Sequence, residues 1–394
     1  MDFELTPSQK DLQARARKLA DDVFAERAAR WDEREEYPWD NVPDLVAAGF
    51  MGMTIPAEQG GGGRPVIDVV LVIEQIARAC GVTARIVVEG NLGVVGALTA
   101  YGTAAQQRRY FPWVLEGEKP AIAITEPAAG SAATDLETRV EETGEGLRLF
   151  GHKRYITGAG TSRLYLVFAR FGNRPGAEGI GGVLIERDTP GFTIGRREYM
   201  MGLRGIPEGE LHFDGCLVPR ENLLVAPGEG FKRLMRAYNG QRLGAATVAL
   251  GLAQGAYERA LAYAAERHQF GRPIADFQGI RWKLADMAVK LDAARLLIHR
   301  AAASAGTGFP DQLQAAKANT FAAEMAQEVT SQALQIHGAA GYGRGLPLER
   351  MVRDARMFAI GGGTLEMMRN LIADHVLGSR ADWRAMTARA PAPR

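Results

Sequence analysis

Five stretches of the sequence carry side chains that could do chemistry. The first, Ala123-Ile124-Thr125-Glu126-Pro127-Ala128-Ala129-Gly130-Ser131, is an apolar segment that runs into a loop of small residues and a hydroxyl. A strand ending in such a loop turns backbone N–H groups and hydroxyls toward a flat polar ligand. The second, Tyr155-Ile156-Thr157-Gly158-Ala159-Gly160, sits in another β-like segment. Further on, Arg267-His268-Gln269-Phe270-Gly271-Arg272-Pro273-Ile274 closes one helix, and Ile360-Gly361-Gly362-Gly363-Thr364-Leu365-Glu366 opens another. Taken singly, Arg267 reads as a cation complementing a helix C-terminus and Thr364 as an N-cap, while a helix start also favours an anionic ligand such as a phosphate. The last stretch is VTARIVVEGNLGVVGALTAYG, read as one apolar helix from Gly81 to Gly102, which carries Arg85 with Glu89 one turn later. A guanidinium fork matches oxyanions with two N–H donors; the same two residues also read as a surface i,i+4 pair worth only a few tenths of a kcal/mol.

The elements that must position these stretches change character along the chain. From Thr6 to about Gly117 the pattern is helical, with Thr6-Pro7 as N-cap and first helical residue. From about Pro120 to Val225 short β-like segments (AIAIT, LRLFGH, LYLVFARFG, GGVLIER, ELHF) alternate with Gly, Pro, Asn and Asp turns. After Gly228-Glu229-Gly230 helical periodicity returns through Leu377, broken at Phe270–Pro273, at Gly306–Pro310 and at His337–Pro347. The expected division is therefore a helical domain over 1–117, a β domain over 118–228, a helical bundle over 229–381 and a tail over 382–394.

Composition bounds the partners. The 394 residues carry 47 basic and 46 acidic side chains, a formal net charge of +1, so no global field recruits nucleic acid or an anionic membrane. Cys80 and Cys216 fit neither a disulfide framework nor a metal site, and the six histidines show no ligand spacing. The amino terminus has neither the basic nor the apolar region of a signal peptide, and the run VIDVVLVI from Val66 is short and interrupted by Asp68. The expectation is a soluble cytoplasmic protein that uses no metal.

In this order the motifs resemble the acyl-CoA dehydrogenase superfamily, essentially from end to end. The resemblance implies an α+β fold with an N-terminal helical domain, a central β-barrel domain and a C-terminal four-helix bundle. It also implies a homotetramer built as a dimer of dimers, with FAD at a subunit interface and a CoA thioester as small-molecule partner. Carried over by position, Ile124, Thr125 and Ser131 contact the flavin or the thioester, Tyr155 stands where Trp is commoner beside the ring system, and Thr157 lies near flavin N5. Arg267, Gln269 and Phe270 grip the pyrophosphate and adenosine half of a neighbouring subunit's FAD, joined by Gln335 and Gly338. Thr364 and Glu366 cap the pyrophosphate or ribose. Two departures are Gly338-Ala339 in place of a double Gly, and Gly158 in place of Asn.

A dehydrogenase of this type needs a carboxylate base for the proton alpha to the thioester. The residue before the Gly-Thr pair, its usual site, is Gly362 here. The alternative site, before the Arg of an ERL-like helix, is Gln241 in Tyr238-Asn239-Gly240-Gln241-Arg242-Leu243. A chain that keeps the cofactor positions and lacks both carboxylates resembles the desulfinating branch of the superfamily, which releases sulfite from 3-sulfinopropanoyl-CoA and leaves propanoyl-CoA without net oxidation. That resemblance implies that Arg85 binds the sulfinate, that Gln241 fills the vacated base position, and that Glu89, Ser131, Asn239 and Arg242 complete the substrate site. Two rival readings stay open: a short-chain or dicarboxylyl acyl-CoA dehydrogenase with Glu89 as an unusual base, and a base-free subunit of a hetero-oligomeric dehydrogenase.

Overall fold

The computed structural model describes residues 4–378, so the expected 382–394 tail lies outside the described residues. Helices fill the chain from Pro7 to Leu115, strands from Ala121 to Val225, and helices again from Gly230 to Leu377. The first helix, Pro7–Leu19, starts with a reciprocal cap: Thr6 Oγ1 accepts from the Gln9 N–H at 3.3 Å, and Gln9 Oε1 accepts from the Thr6 N–H at 3.0 Å.

Helix Val66–Ala77 is buried on nearly every side, as its many Val, Leu and Ile residues dictate, and Asp68, Glu74 and Gln75 are buried with them. The expected single helix from Gly81 to Gly102 is two helices, Gly81–Glu89 and Val94–Tyr101. Its composition suits a membrane span, but 94% of it is buried within the protein. The break has a local cause. Asn91 Nδ2 donates to the carbonyls of Phe50 and Val87, both at 2.7 Å, and Oδ1 accepts from the Met53 N–H at 2.5 Å. Gly93 then turns the chain at φ 60°, a left-handed conformation that glycine adopts without a Cβ penalty.

The middle of the chain forms one eight-stranded sheet. Its order runs Phe192–Glu198, Glu208–Val218, Leu147–Thr157, Arg139–Glu142, Leu164–Phe171, Ile180–Glu186 and Leu223–Val225. Ala121–Ala123 pairs in parallel with Leu164–Phe171. Strands Arg139–Glu142, Phe192–Glu198 and Leu223–Val225 add to the segments expected from the sequence, and the Tyr155–Thr157 motif is the end of Leu147–Thr157 rather than a separate strand. One core joins the amino-terminal helices to the long helices Gly230–Glu266, Gln278–Ala303 and Gln312–His337. A second packs Val94–Tyr101 and Ala104–Leu115 on the sheet, and a third lies among its strands. The candidate site lies where the sheet meets helices Gly81–Glu89 and Gly230–Glu266.

Candidate active site

Arg85 is buried, 5% exposed, and so is Glu89. Their side chains pair at 2.5 Å, and the second carboxylate oxygen of Glu89 accepts from Lys119 Nζ at 2.7 Å. The expected alternative of a surface pair is thus corrected: the pair forms, but in the interior, where losing one partner typically costs about 3–5 kcal/mol. Arg85 Nε, also buried, has no hydrogen-bond partner among the described residues. Burial pushes the Glu89 carboxyl upward, but Lys119 and Arg85 together hold it below the ordinary carboxylate range. A carboxylate held by two cations is a poor proton acceptor, which counts against Glu89 as a base.

The two positions that lack a carboxylate are tied to each other. Gln241 and Arg242 are buried on helix Gly230–Glu266. Arg242 Nε donates to the Gly362 carbonyl at 3.0 Å, and its Nη1 donates to Asn239 Oδ1 at 3.0 Å. Asn239 Nδ2 donates in turn to the Pro310 carbonyl at 3.3 Å. Asn239 and Arg242, expected to help hold the CoA arm, therefore also brace the Gly362 turn. Gln241 Oε1 lies close to Gly93: a Cβ there would sit 2.8 Å from it. The turn between Val94–Tyr101 and its preceding helix thus leaves room for the amide.

Reasoning from sequence missed a second carboxylate. Glu208, at the start of strand Glu208–Val218, is the cross-strand partner of Thr157, and the two side chains bond at 2.6 Å between Oε1 and Oγ1. Burial pushes the Glu208 carboxyl up to about 7; the bond to Thr157 opposes this only partly, and the charges of Arg85, Glu89 and Lys119 all act on it. Glu208 keeps part of its surface accessible while its carboxyl sits among packed side chains. Lys119 reaches the same place, since a Cβ on Gly158 would lie 2.6 Å from its Nζ. No motif marks Lys119 or Glu208; the signal was an acid two residues before the ELHF segment, which pairing alone brings to Thr157.

The expected cofactor positions divide in two. Ile124, Thr125, Ser131, Tyr155 and Thr157 lie at least partly exposed on the sheet and its following loop, with the Arg154 N–H bonded to the Thr125 carbonyl at 2.9 Å. Arg267, Gln269, Phe270, Gln335 and Gly338 are exposed at the ends of the long helices, Glu366 is exposed in the first turn of helix Leu365–Leu377, and Thr364 is half-buried. Tyr155 and Phe270 are held at φ 56° and 53°, a conformation uncommon outside glycine, and Phe270 is 92% exposed. Thr364 is the N-cap of helix Leu365–Leu377, its Oγ1 accepting from the Met367 N–H at 3.3 Å. The structural reading of that threonine therefore holds, and a helix N-terminus beside a ligand is compatible with it.

His152, Glu210 and His212 also cluster, across paired strands. The imidazoles stack with centroids 4.3 Å apart and planes 20° from parallel. An ion bound to both Nε2 atoms at about 2.0–2.1 Å would have to lie in both ring planes, which near-parallel rings do not allow. Glu210 is also 3.9 Å from Arg154 and from Arg196.

The comparisons with known proteins agree with the order of helical, β and helical segments. Residues 6–118 match the acyl-CoA dehydrogenase N-terminal domain, 121–216 the middle domain and 228–377 the C-terminal domain. A 3-sulfinopropanoyl-CoA desulfinase of Cupriavidus necator is 52% identical over 95% of this chain and 96% of its own, and one from Paraburkholderia xenovorans is 51% identical over 97% and 99%. Among solved structures, butyryl-CoA dehydrogenase from Megasphaera elsdenii superposes with a TM-score of 0.92 at 34% identity, covering 96% of this chain and all of that one. With its helical, β and helical segments each matched in order, the chain belongs to the acyl-CoA dehydrogenase family.

Proposed function

We propose that the chain is an FAD-containing enzyme that cleaves the C–S bond of 3-sulfinopropanoyl-CoA, giving propanoyl-CoA and sulfite without net oxidation. The observation that carries this reading is the buried neutral amide of Gln241 beside a Gly362 turn braced by Arg242, at the two positions where a dehydrogenase of this family would need a carboxylate. The identity of about half of all residues to the two desulfinases supports it. Arg85 supports the anionic acyl end, because its buried Nε has a donor to spare in an apolar helix.

The residues present fit FAD. Thr125, Ser131 and Thr157 offer hydroxyls on the accessible edge of the sheet, and two exposed aromatic rings sit on backbone held in an unfavourable conformation. Such strain persists at sites where a ligand or partner uses it. Ile124, Thr125, Ser131, Tyr155 and Thr157 would hold the ring system. Arg267, Gln269 and Phe270, with Gln335 and Gly338 of the same bundle, would hold the pyrophosphate and adenosine of FAD shared with a neighbouring subunit in a homotetramer, next to Thr364 and Glu366. When bound, FAD supplies a flat ring for the thioester to stack on and a redox capacity that the net reaction leaves unused.

Around that ring the chain's own groups divide the work. Arg85 orients the sulfinate, Lys119 and Arg85 keep Glu89 ionised and unavailable as a base, and Gln241 places an amide where a carboxylate would repel the substrate's anion. The deciding experiment incubates the purified protein with 3-sulfinopropanoyl-CoA, assays sulfite and propanoyl-CoA, and offers an artificial electron acceptor in parallel. Sulfite in proportion to propanoyl-CoA with no acceptor reduction is expected. Rapid acceptor reduction with butanoyl-CoA or succinyl-CoA and no sulfite would sink the reading and leave a dehydrogenase.

A further inference from the structure

Removing sulfur from a sulfinate raises a problem that the residues above do not solve. The C–S bond breaks, its electron pair stays on the beta carbon, and SO₂ departs; a thioester one carbon further away cannot delocalise that pair. The carbon must gain a proton as sulfur leaves. Neither the Gln241 amide nor the carboxylate of Glu89, locked between Arg85 and Lys119, can supply it. Resting on the desulfinase reading, we propose that the Glu208 carboxylic acid is the group that delivers this proton to the beta carbon.

The placement follows from pairing. Thr157 and Glu208 face each other across adjacent strands, and their side chains bond at 2.6 Å. The Gly158 N–H bonds to the Pro207 carbonyl at 2.7 Å, which fixes the strand end beside them. Helix Gly81–Glu89 contributes Arg85 and Glu89 to the surroundings, the segment before the sheet contributes Lys119, and helix Gly230–Glu266 contributes Tyr238. On the remaining side the cross-strand neighbour Glu198 is occupied by Arg154 at 2.8 Å and Arg196 at 2.9 Å. Among the described residues, Glu208 is thus a carboxyl with no cation bonded to it, next to the arginine assigned to the sulfinate. Burial holds its proton to about pH 7, the range in which a general acid is most useful.

The step balances without an external oxidant or reductant. The O–H bond of Glu208 and the C–S bond of the substrate break, a C–H bond forms, and SO₂ is released. Water adds to SO₂ to give hydrogen sulfite and a proton, which returns to Glu208. As pH rises, Glu208 loses its proton and turnover falls; it also becomes a second negative charge beside the incoming anion.

The test uses the FAD-loaded enzyme. In Glu208→Gln, which keeps the size and a bond to Thr157, kcat for sulfite release is expected to fall by about 10² to 10⁴-fold. KM and flavin content should stay near wild type, and the alkaline decline of kcat should disappear. In D₂O the wild type should place one deuterium at the methyl carbon of propanoyl-CoA. Sulfite release by the wild type with unchanged kcat in Glu208→Gln overturns this assignment alone; no sulfite from the wild type overturns the desulfinase reading and takes the assignment with it. Where Glu208→Gln does not fold, the wild-type profile decides: a kcat flat from about pH 6 to about pH 9 overturns the proposal, and a decline centred near neutrality supports it.

Discussion

Arg242 Nε donates to the carbonyl oxygen of Gly362 at 3.0 Å, and this one bond joins the two places at which a dehydrogenase of this fold would carry its base. The backbone there excludes a simple reversal. Gly362 and Gly363 lie at φ 90° and 103°, conformations that side-chain-bearing residues rarely adopt.

Gly362→Glu should therefore fail to restore dehydrogenation. The nearest atom to a new Cβ, in the Arg242 side chain, is 3.9 Å away, so the cost is backbone strain of about 1–3 kcal/mol rather than a clash. A lower Tm with no bleaching of the flavin by butanoyl-CoA is expected. Rapid bleaching at unchanged Tm would show that the turn accommodates a base.

Gln241→Glu stands on unstrained helical backbone and makes the more informative variant. It puts a negative charge in the site proposed for the sulfinate, so desulfination should fall, while on that reading a neutral short acyl-CoA gains a carboxylate near its alpha carbon. Sulfite analysis with the sulfinate thioester and anaerobic flavin absorbance with butanoyl-CoA separate the two effects. A variant with undiminished sulfite release would remove Gln241 from the site.

Arg85→Lys should keep the charge that pairs with Glu89 but lose the second donor of the fork. Losing one charged hydrogen bond, about 1.5–3 kcal/mol, corresponds to a KM for the sulfinate thioester raised roughly 10- to 150-fold. Unchanged kinetics would reduce Arg85 to a structural partner of Glu89. Arg85→Ala is a poorer probe, because it leaves Glu89 with Lys119 alone in a buried place.

Arg267→Ala tests the cofactor carry-over at an exposed helix end. Reduced flavin per protein after dilution and gel filtration is expected, with the melting temperature of the flavin-free protein little changed. Full flavin retention would count against it.

Asp354 predicts a pH dependence of stability. Its carboxylate accepts from the Leu203 N–H at 2.6 Å, tying helix Leu348–Arg356 to the loop after strand Phe192–Glu198. Burial nevertheless pushes it up to about 6 from 3.8. A carboxyl raised on folding binds its proton more tightly in the native state, so its contribution is present in acid and is lost as pH rises from about 4 through about 6. The loss is on the order of 3 kcal/mol. Asp354→Asn should flatten that part of the stability curve; denaturant melts at about pH 5 and pH 8 check it.

Local patterns in the sequence marked out much of this. The Thr6 cap, the long Ala-rich helices and the four motifs assigned to the cofactor each announce themselves within a few residues. What was not legible depends on distant partners. Gly81 to Gly102 reads as one apolar helix because nothing in it reveals that Asn91 will bond to Phe50 and Met53, some forty residues earlier. Strands Arg139–Glu142 and Phe192–Glu198 are mostly accessible, with only Val140 and Phe192 buried, so neither shows an alternation to detect. Lys119 and Glu208 belong to no motif, and only the packing of a loop and a strand start against helix Gly81–Glu89 makes them part of the candidate site.

Arg85, Lys119 and Glu89 together leave one excess positive charge enclosed in the protein as long as Glu208 keeps its proton. A sulfinate brings that enclosed sum to zero; a propanoyl group, which is neutral, does not. On the proposed reading, the reaction thus consumes the charge that holds its substrate, so affinity drops at the moment of conversion. Product inhibition by propanoyl-CoA should accordingly be weak, and anions shaped like the sulfinate should compete with the substrate far better than the product does.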